Sequence, residues 1–186
     1  MNIKEYTANF IDYNFDGNLP FKTILKKVKK GTIITDYDEL EKKVYFLIDG
    51  IVKVSIMKNE EERILDFIFN HSFFASYSSL LTNNPSDVSI KTYTDCTLEV
   101  VDYLELKKAY TFSMIANKLG RIETEKLYTK KVRREKELLT KTAEERYLLL
   151  ATNYPEVLKR IAIKDISKYL GIQPESLSRI RKRLIS

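Results

Sequence analysis

The spacing of apolar residues changes near Gly31 and again near Leu104, and the second change separates a β part from the helical part that follows it. Between residues 31 and 103, short runs alternate apolar and polar residues, which is the period of half-buried strands. From Leu104 onward, apolar residues recur three and four positions apart, as on amphipathic helices. The two periods predict an α+β fold whose strands form an antiparallel β-roll, or jelly roll.

Within the β part, turn residues separate the predicted strands. Asp49-Gly50 lies between two strand-like runs and predicts a tight hairpin. A polar turn is expected at residues 59–62. Strands are predicted at residues 32–34, 44–48, 51–56, 64–69, 88–92 and 98–103. Before them, residues 1–30 are predicted to form one or two short helices, the second with its apolar face on Phe21, Ile24, Leu25 and Val28.

A long helix is predicted over residues 113–139, because no proline interrupts the helical pattern there. Its apolar stripe is thin for its length, and a partner helix would explain it, so we expect a homodimer. The alternative is a helix packed on its own β domain. The predicted dimer contacts are Ile115, Leu119, Ile122, Tyr128 and Val132. The expected domains are 1–110 (β-roll), 111–140 (dimerisation helix) and 141–186 (helix-turn-helix domain).

Charge is distributed unevenly along the chain. Residues 1–110 contain 14 Lys and Arg against 17 Asp and Glu, whereas residues 111–186 contain 18 against 9. A basic module of this kind favours a polyanionic partner, although a solvated basic helix would give the same count.

The composition excludes several classes of protein. The single cysteine, Cys96, allows no intramolecular disulfide and no cysteine metal cluster. The single histidine, His71, argues against a metal-dependent cupin, and no glycine-rich phosphate loop is present. The start of the chain lacks an apolar signal core, and no apolar run approaches the ~20 residues that span a bilayer. We therefore expect a cytoplasmic protein with no enzymatic activity, no metal, no cofactor and no membrane partner.

The last residues carry the most specific pattern in the chain. Residues 142–145 form a predicted capping box that begins a helix, and Pro155 begins a short one. In residues 163–184, Gly171 permits a left-handed turn between two amphipathic helices, and Pro174 fits the first turn of the second. This pattern predicts a helix-turn-helix.

The exposed face of the second helix carries side chains suited to DNA. Glu175, Ser178 and Arg179 are the predicted base-reading residues, since Arg can bond guanine, Glu can accept from cytosine, and Ser can bond several edges. Predicted contacts to the DNA backbone are Gln173, Ser176, Arg181, Lys182 and Arg183. The alternative is an ordinary helical hairpin with a charged face.

With these motifs the chain resembles the CRP/FNR family of bacterial regulators along nearly its whole length. The resemblance is strongest in residues 142–147 and 170–179. It implies a homodimer on double-stranded DNA and allows RNA polymerase as a further partner. The order Glu175, Ser178, Arg179 is similar to that of the FNR branch, which implies TTGA-like half-sites in an inverted repeat.

The predicted sensor region departs from the family pattern. Cyclic-nucleotide-binding members carry a Gly-Glu pair and an Arg-Ser pair, and neither occurs in residues 70–77 or 84–89. Asp87 would repel a phosphate if it pointed inward, so we expect no cyclic AMP binding. Family members usually continue into a β wing after the second helix, so either a wing follows Ser186 or this branch lacks one.

Together these patterns predict a sequence-specific transcription regulator whose small-molecule effector is unknown. Two alternatives stay open: a regulator responding to a cyclic nucleotide through an unusual pocket, and a small-molecule-binding β-roll with no DNA output.

Overall fold

A computed structural model describes residues 1–185, without the side chains of residues 156, 157 and 185. The N-terminal helix α1 (Ile3–Tyr6) continues as a π-helical turn, Thr7–Ile11. The strands and short helix that follow are β1 (Ile24–Val28), β2 (Ile33–Thr35), β3 (Lys43–Asp49), β4 (Val52–Lys58), β5 (Glu61–Ile68), β6 (Ser72–Phe74), α2 (Tyr77–Thr82), β7 (Ser89–Thr92) and β8 (Cys96–Asp102). Thereafter the described chain is helical, with α3 (Tyr103–Phe112), α4 (Met114–Thr140), α5 (Ala143–Asn153), α6 (Pro155–Arg160), α7 (Ile163–Leu170) and α8 (Pro174–Ile185).

The eight strands form two antiparallel four-stranded sheets. One sheet has the order β1-β8-β3-β6 and the other β2-β7-β4-β5. The pairing is nested, because β1 pairs with β8, β2 with β7, β3 with β6, and β4 with β5. This arrangement is a β-roll, and the predicted α+β class is confirmed.

Two local predictions are wrong. Residues 24–28, predicted as part of a helix, form strand β1, whose residue Ile24 lies opposite Val100 of β8. Asp49-Gly50 does not close a hairpin, because β3 pairs with β8 and β6 while β4 belongs to the other sheet. At Gly50 the chain instead crosses from one sheet to the other. In both places, pairing with strands distant in sequence overrides the local pattern.

Contacts divide the chain into two units, residues 1–56 with 66–126, and residues 57–65 with those from 127 onward. In the first unit, alternate residues of β3 point into two different hydrophobic cores. Tyr45 and Leu47 of β3 pack between the two sheets, with Tyr45 stacked on Phe74 at a ring distance of 5.2 Å. The neighbouring Val44 and Phe46 face the opposite side, where α1, α3 and the start of α4 cover the sheet.

The second unit contains the helices that follow the middle of α4, together with the tip of the β4–β5 hairpin. Helix α5 begins where the sequence predicts. The Thr142 hydroxyl accepts a hydrogen bond from the Glu145 N–H, and the Glu145 carboxylate accepts one from the Thr142 N–H, which completes a capping box. In the described part of the chain, no helix is both long and apolar enough to span a membrane.

Candidate nucleic-acid interface

The turn between α7 and α8 depends on Gly171. This residue has φ 72°, in the left-handed region that a side chain disfavours. The N–H groups of Gly171 and Ile172 both donate to the Ser167 carbonyl. These hydrogen bonds satisfy a carbonyl in the last turn of α7 and end the helix. The chain then reverses, and α8 begins at Pro174, whose missing N–H would have had no helical partner.

Four apolar side chains hold the two helices together. Ile166 and Leu170 of α7 are buried, as are Leu177 and Ile180 of α8. Their spacing of three and four residues places them on one side of each helix. Fully burying side chains of this size contributes roughly 1.5–3 kcal/mol each, and this contribution favours one orientation of α8 on α7.

The opposite side of α8 presents the three predicted base-reading residues to solvent. Glu175, Ser178 and Arg179 are exposed and have no hydrogen bond or ion pair with another described residue. They lie three and four positions apart, so they share one helical face. The carboxylate, hydroxyl and guanidinium are therefore free to bond an external ligand.

The five predicted backbone-contact residues have different surroundings. Gln173, Ser176 and Lys182 are exposed, and Arg181 is half-buried. Arg183 is exposed but donates to the Glu144 carboxylate of α5 at 2.6 Å. Arg183 is therefore already engaged within the chain and would have to exchange Glu144 for a phosphate.

A contact that the sequence did not predict joins the hairpin tip to α7. The turn at Asn59 and Glu60 has positive φ at both residues, 51° and 64°. Just beyond it, Glu62 accepts from Lys168 Nζ at 2.7 Å. The tip borders a hollow of about 470 Å³ whose other wall includes Gln173 and Pro174, at the start of α8. No local sequence signal indicates this contact, because its partners are distant along the chain.

Residues 84–89, where the family resemblance predicts the Arg-Ser pair that binds a cyclic phosphate, are held by hydrogen bonds within the chain. The buried Ser86 hydroxyl donates to Ser76 Oγ at 2.8 Å. The Ser86 carbonyl accepts from the Asp38 N–H, and its N–H donates to the Glu39 carbonyl. Asp87 does not point inward, because it is exposed and its carboxylate accepts a hydrogen bond from the Ser78 hydroxyl.

The buried carboxylate beside this segment is Glu41, which sequence reasoning missed. Its oxygens accept from the Thr35 hydroxyl and the Lys43 N–H, and its own N–H donates to Ser79 of α2. Burial and the nearby Glu41 charge raise the pKa of Tyr45 well above its ordinary range. A buried phosphate needs a cation, and this neighbourhood supplies a carboxylate. The residues present therefore do not fit a cyclic nucleotide.

The predicted dimerisation residues fall into two groups. Leu119 is 4% exposed in the core of the first unit, and Ile115 and Ile122 pack against that core. Further along α4, Tyr128 is 71% exposed and Val132 is half-buried. The first group thus contacts the chain's own β-roll, and the second group leaves apolar surface on α4.

No cluster of three or more His, Cys, Asp or Glu side chains that could hold a metal occurs among the described residues. Cys96 is buried, and burial raises the pKa of its thiol.

Comparisons with known proteins agree with this architecture. Residues 25–111 match the family model of the cyclic nucleotide-binding domain. FixK2 from Bradyrhizobium japonicum is similar in structure, with a TM-score of 0.70, 23% identity, and coverage of 88% of this chain and 84% of that protein. A protein from Eubacterium rectale described as a regulator of the crp/fnr family gives a TM-score of 0.71 at 17% identity, covering 99% and 83%.

A third similar structure is CLP from Xanthomonas campestris, a c-di-GMP responsive global regulator, with a TM-score of 0.68 at 16% identity, covering 87% and 86%. A comparison with curated proteins finds no match. The β-roll, long helix and helix-turn-helix of the chain follow one another as in these structures, and the β-roll corresponds to the cyclic nucleotide-binding domain model. The chain has the CRP/FNR fold, and the resemblance predicted from the sequence is confirmed at the level of the fold.

Proposed function

We propose that this protein is a transcription regulator that binds DNA sequence-specifically, as a homodimer on an inverted repeat. The observation that carries the proposal is the free side-chain trio of α8, Glu175, Ser178 and Arg179, on the face opposite the buried Leu177 and Ile180. In a helix-turn-helix this face of the second helix enters the major groove, with its first residues on the base edges.

The chemistry of the trio supports base reading. Arg179 can donate two parallel hydrogen bonds to guanine O6 and N7, and Glu175 can accept from cytosine N4. Ser178 can bond several edges and adds little discrimination by itself. One bidentate pair is worth about 1–3 kcal/mol, or roughly 5- to 150-fold in affinity for the correct base.

The surrounding charge supports binding to the phosphate backbone. Residues 111–186 contain 18 Lys and Arg against 9 Asp and Glu. Lys182, on the same face as the trio, is exposed. Contacts to phosphates release counterions, so the affinity should fall as salt rises.

The experiment compares two variants on two duplexes. A binding site is first selected from a random DNA library with the wild-type protein, and fluorescence anisotropy then measures binding to it and to a scrambled duplex. Arg179→Ala should lower affinity for the selected site at least tenfold and change affinity for the scrambled duplex little. Lys182→Ala should weaken both, and should reduce the slope of log affinity against log salt by about one.

Two results would contradict the proposal. A wild-type protein that selects no site, or binds both duplexes equally, is not a sequence-specific regulator. If Arg179→Ala weakens both duplexes to the same extent, the guanidinium contacts phosphate and the base-reading role is wrong.

The proposal includes no cyclic-nucleotide effector. The family model matches residues 25–111, but the segment around Ser86 is closed by internal hydrogen bonds, with the Glu41 carboxylate beside it.

A further inference from the structure

The C-terminal end of α7 is held by two arginines from other helices. The last carbonyls of a helix have no partner within it. Here the Tyr169 carbonyl accepts from Arg134 Nη2 of α4 at 2.5 Å, and the Leu170 carbonyl accepts from Arg146 Nη2 of α5 at 3.0 Å. We call Arg134 and Arg146 the arginine clamp.

Each arginine of the clamp makes a second contact that limits its movement. The Arg134 guanidinium lies over the ring of Tyr169, 4.1 Å from the ring centre. Arg146 also donates through Nη1 to the Lys141 carbonyl, directly after α4, at 2.7 Å. One guanidinium therefore joins the C-terminal ends of α4 and α7, where the helix dipole favours a positive charge.

The clamp binds main chain instead of carboxylates. Among the described residues, neither guanidinium has an acidic partner, and Arg146 Nε is buried without a hydrogen-bond partner. A buried unpaired N–H is costly, so this placement is unfavourable for the side chain alone. Because the acceptors are carbonyls at helix ends, the clamp constrains the position of a whole helix.

The clamped carbonyls directly precede Gly171 and the start of α8 at Pro174. A small rotation at this point would be carried along the whole of α8. Base reading requires the Arg179 guanidinium to meet its target within a fraction of an ångström. From this geometry we infer that Arg134 and Arg146 are positioning residues, which hold α8 in the orientation that reads DNA. The inference rests on the proposed function of α8.

Arg134 can be tested against its neighbour. Arg133 is 61% exposed on the same helix and only approaches Glu137, at 4.0 Å. Arg133→Ala therefore removes the same charge from α4 without removing a clamp contact. Arg134→Lys retains the charge but loses the planar group, and Tyr169→Leu retains every charge but removes the ring beneath the guanidinium.

The first measurement does not involve DNA. Hydrogen exchange is followed at the amides of Gly171 and Ile172, which both donate to the Ser167 carbonyl. Arg134→Ala should accelerate exchange at these amides at least tenfold, Arg134→Lys and Tyr169→Leu by a smaller factor, and Arg133→Ala not at all. Equal exchange in Arg134→Ala and Arg133→Ala would overturn the clamp. If Arg134→Ala does not fold, Arg134→Lys and Tyr169→Leu are compared with Arg133→Ala instead.

The second measurement separates positioning from charge. Arg134→Ala should weaken binding to the selected site about tenfold more than Arg133→Ala does, and should match it on the scrambled duplex within twofold. An equal loss on both duplexes would refute positioning of α8. A wild-type protein that does not discriminate between duplexes refutes the proposed function alone, and the exchange result then decides the clamp.

Discussion

At the scale of single residues, Gly50 and Gly171 show two different reasons for a glycine in a turn. At Gly171 the backbone is left-handed, and a Cβ would meet no atom within 4 Å, so only the conformation demands glycine. At Gly50 φ is 117°, and a Cβ would also lie 2.5 Å from Cys96 Sγ and 2.7 Å from the Asp95 carbonyl oxygen. Gly50 is therefore required by both conformation and packing, at the point where the chain crosses between the sheets.

Gly50→Ala should destabilise the protein by more than about 2 kcal/mol, because strain and a clash with main chain add together. Urea unfolding followed by circular dichroism measures the change. The control is Gly17→Ala, which has φ 84° but open space around the new methyl group, and should cost about 1 kcal/mol. Equal losses in the two variants would show that packing against Cys96 contributes nothing.

The sequence predicts that Glu175, Ser178 and Arg179 of the helix-turn-helix are exposed, because helical spacing alone decides which side chains share a face. It does not predict Glu41. A glutamate in a loop has no local signature of burial, and the Thr35 hydroxyl that donates to its buried carboxylate is identified only by the fold. Residues 142–147 form a motif that the sequence shows, but the hydrogen bonds of Arg146 to two helix ends depend on tertiary structure.

At the scale of elements, α5 begins with a capping box that makes the stability of the helix depend on pH. The Thr142 N–H and hydroxyl donate to the Glu145 carboxylate at 2.7 and 2.8 Å. These hydrogen bonds hold the pKa of Glu145 below its ordinary value. A carboxyl whose pKa is lowered by folding stabilises the folded state above its unfolded pKa of about 4.3, and loses this contribution as pH falls through the lower folded value.

Glu145→Ala should therefore lower the thermal unfolding midpoint at pH 7, with a difference from wild type that shrinks below about pH 4. Differential scanning calorimetry at both pH values gives the comparison. Glu135→Ala removes an exposed carboxylate from the C-terminal third of α4 and should change the midpoint little. A difference for Glu145→Ala that is as large at pH 3 as at pH 7 would show that the box does not depend on the ionised carboxylate.

Elements whose signals are local were predicted nearly to the residue, whereas those defined by distant pairing were not. α5 begins at Ala143, within the predicted capping box, and α4 spans Met114–Thr140, close to the predicted range of 113–139. The capping box and the absence of proline are properties of neighbouring residues. By contrast, β1 pairs with β8 from the far end of the β part, and β3 pairs with β8 and not with the adjacent β4.

At the scale of the whole molecule, α4 contributes to the protomer's core and is also the predicted dimer contact. A thin apolar stripe on a helix does not reveal whether it faces its own domain or a partner. Part of the stripe, around Leu119, packs within the protomer. The homodimer therefore remains a prediction, which now depends on the exposed surface further along α4, at Tyr128.

Sedimentation equilibrium should give a mass about twice the 21.8 kDa of the chain. Tyr128→Glu should shift the protein toward the monomer, because it places a charge in an apolar helix contact. Tyr13→Glu, at a position that is 91% exposed and outside α4, should leave the mass unchanged. A wild-type mass of one chain, or equal effects of the two variants, would exclude a dimer formed through this part of α4.

The nested pairing of the strands also has a kinetic consequence. The turn at Asn59 and Glu60 joins β4 to β5 directly, whereas Val28 of β1 must find Cys96 of β8. The entropy lost on closing a loop grows with its length, and distant pairings slow folding. The β4–β5 hairpin should therefore form first, the pairs of strands more distant in sequence should form next, and β1 should pair with β8 last. Stability contributed by β1 then slows unfolding and adds little to the rate of folding.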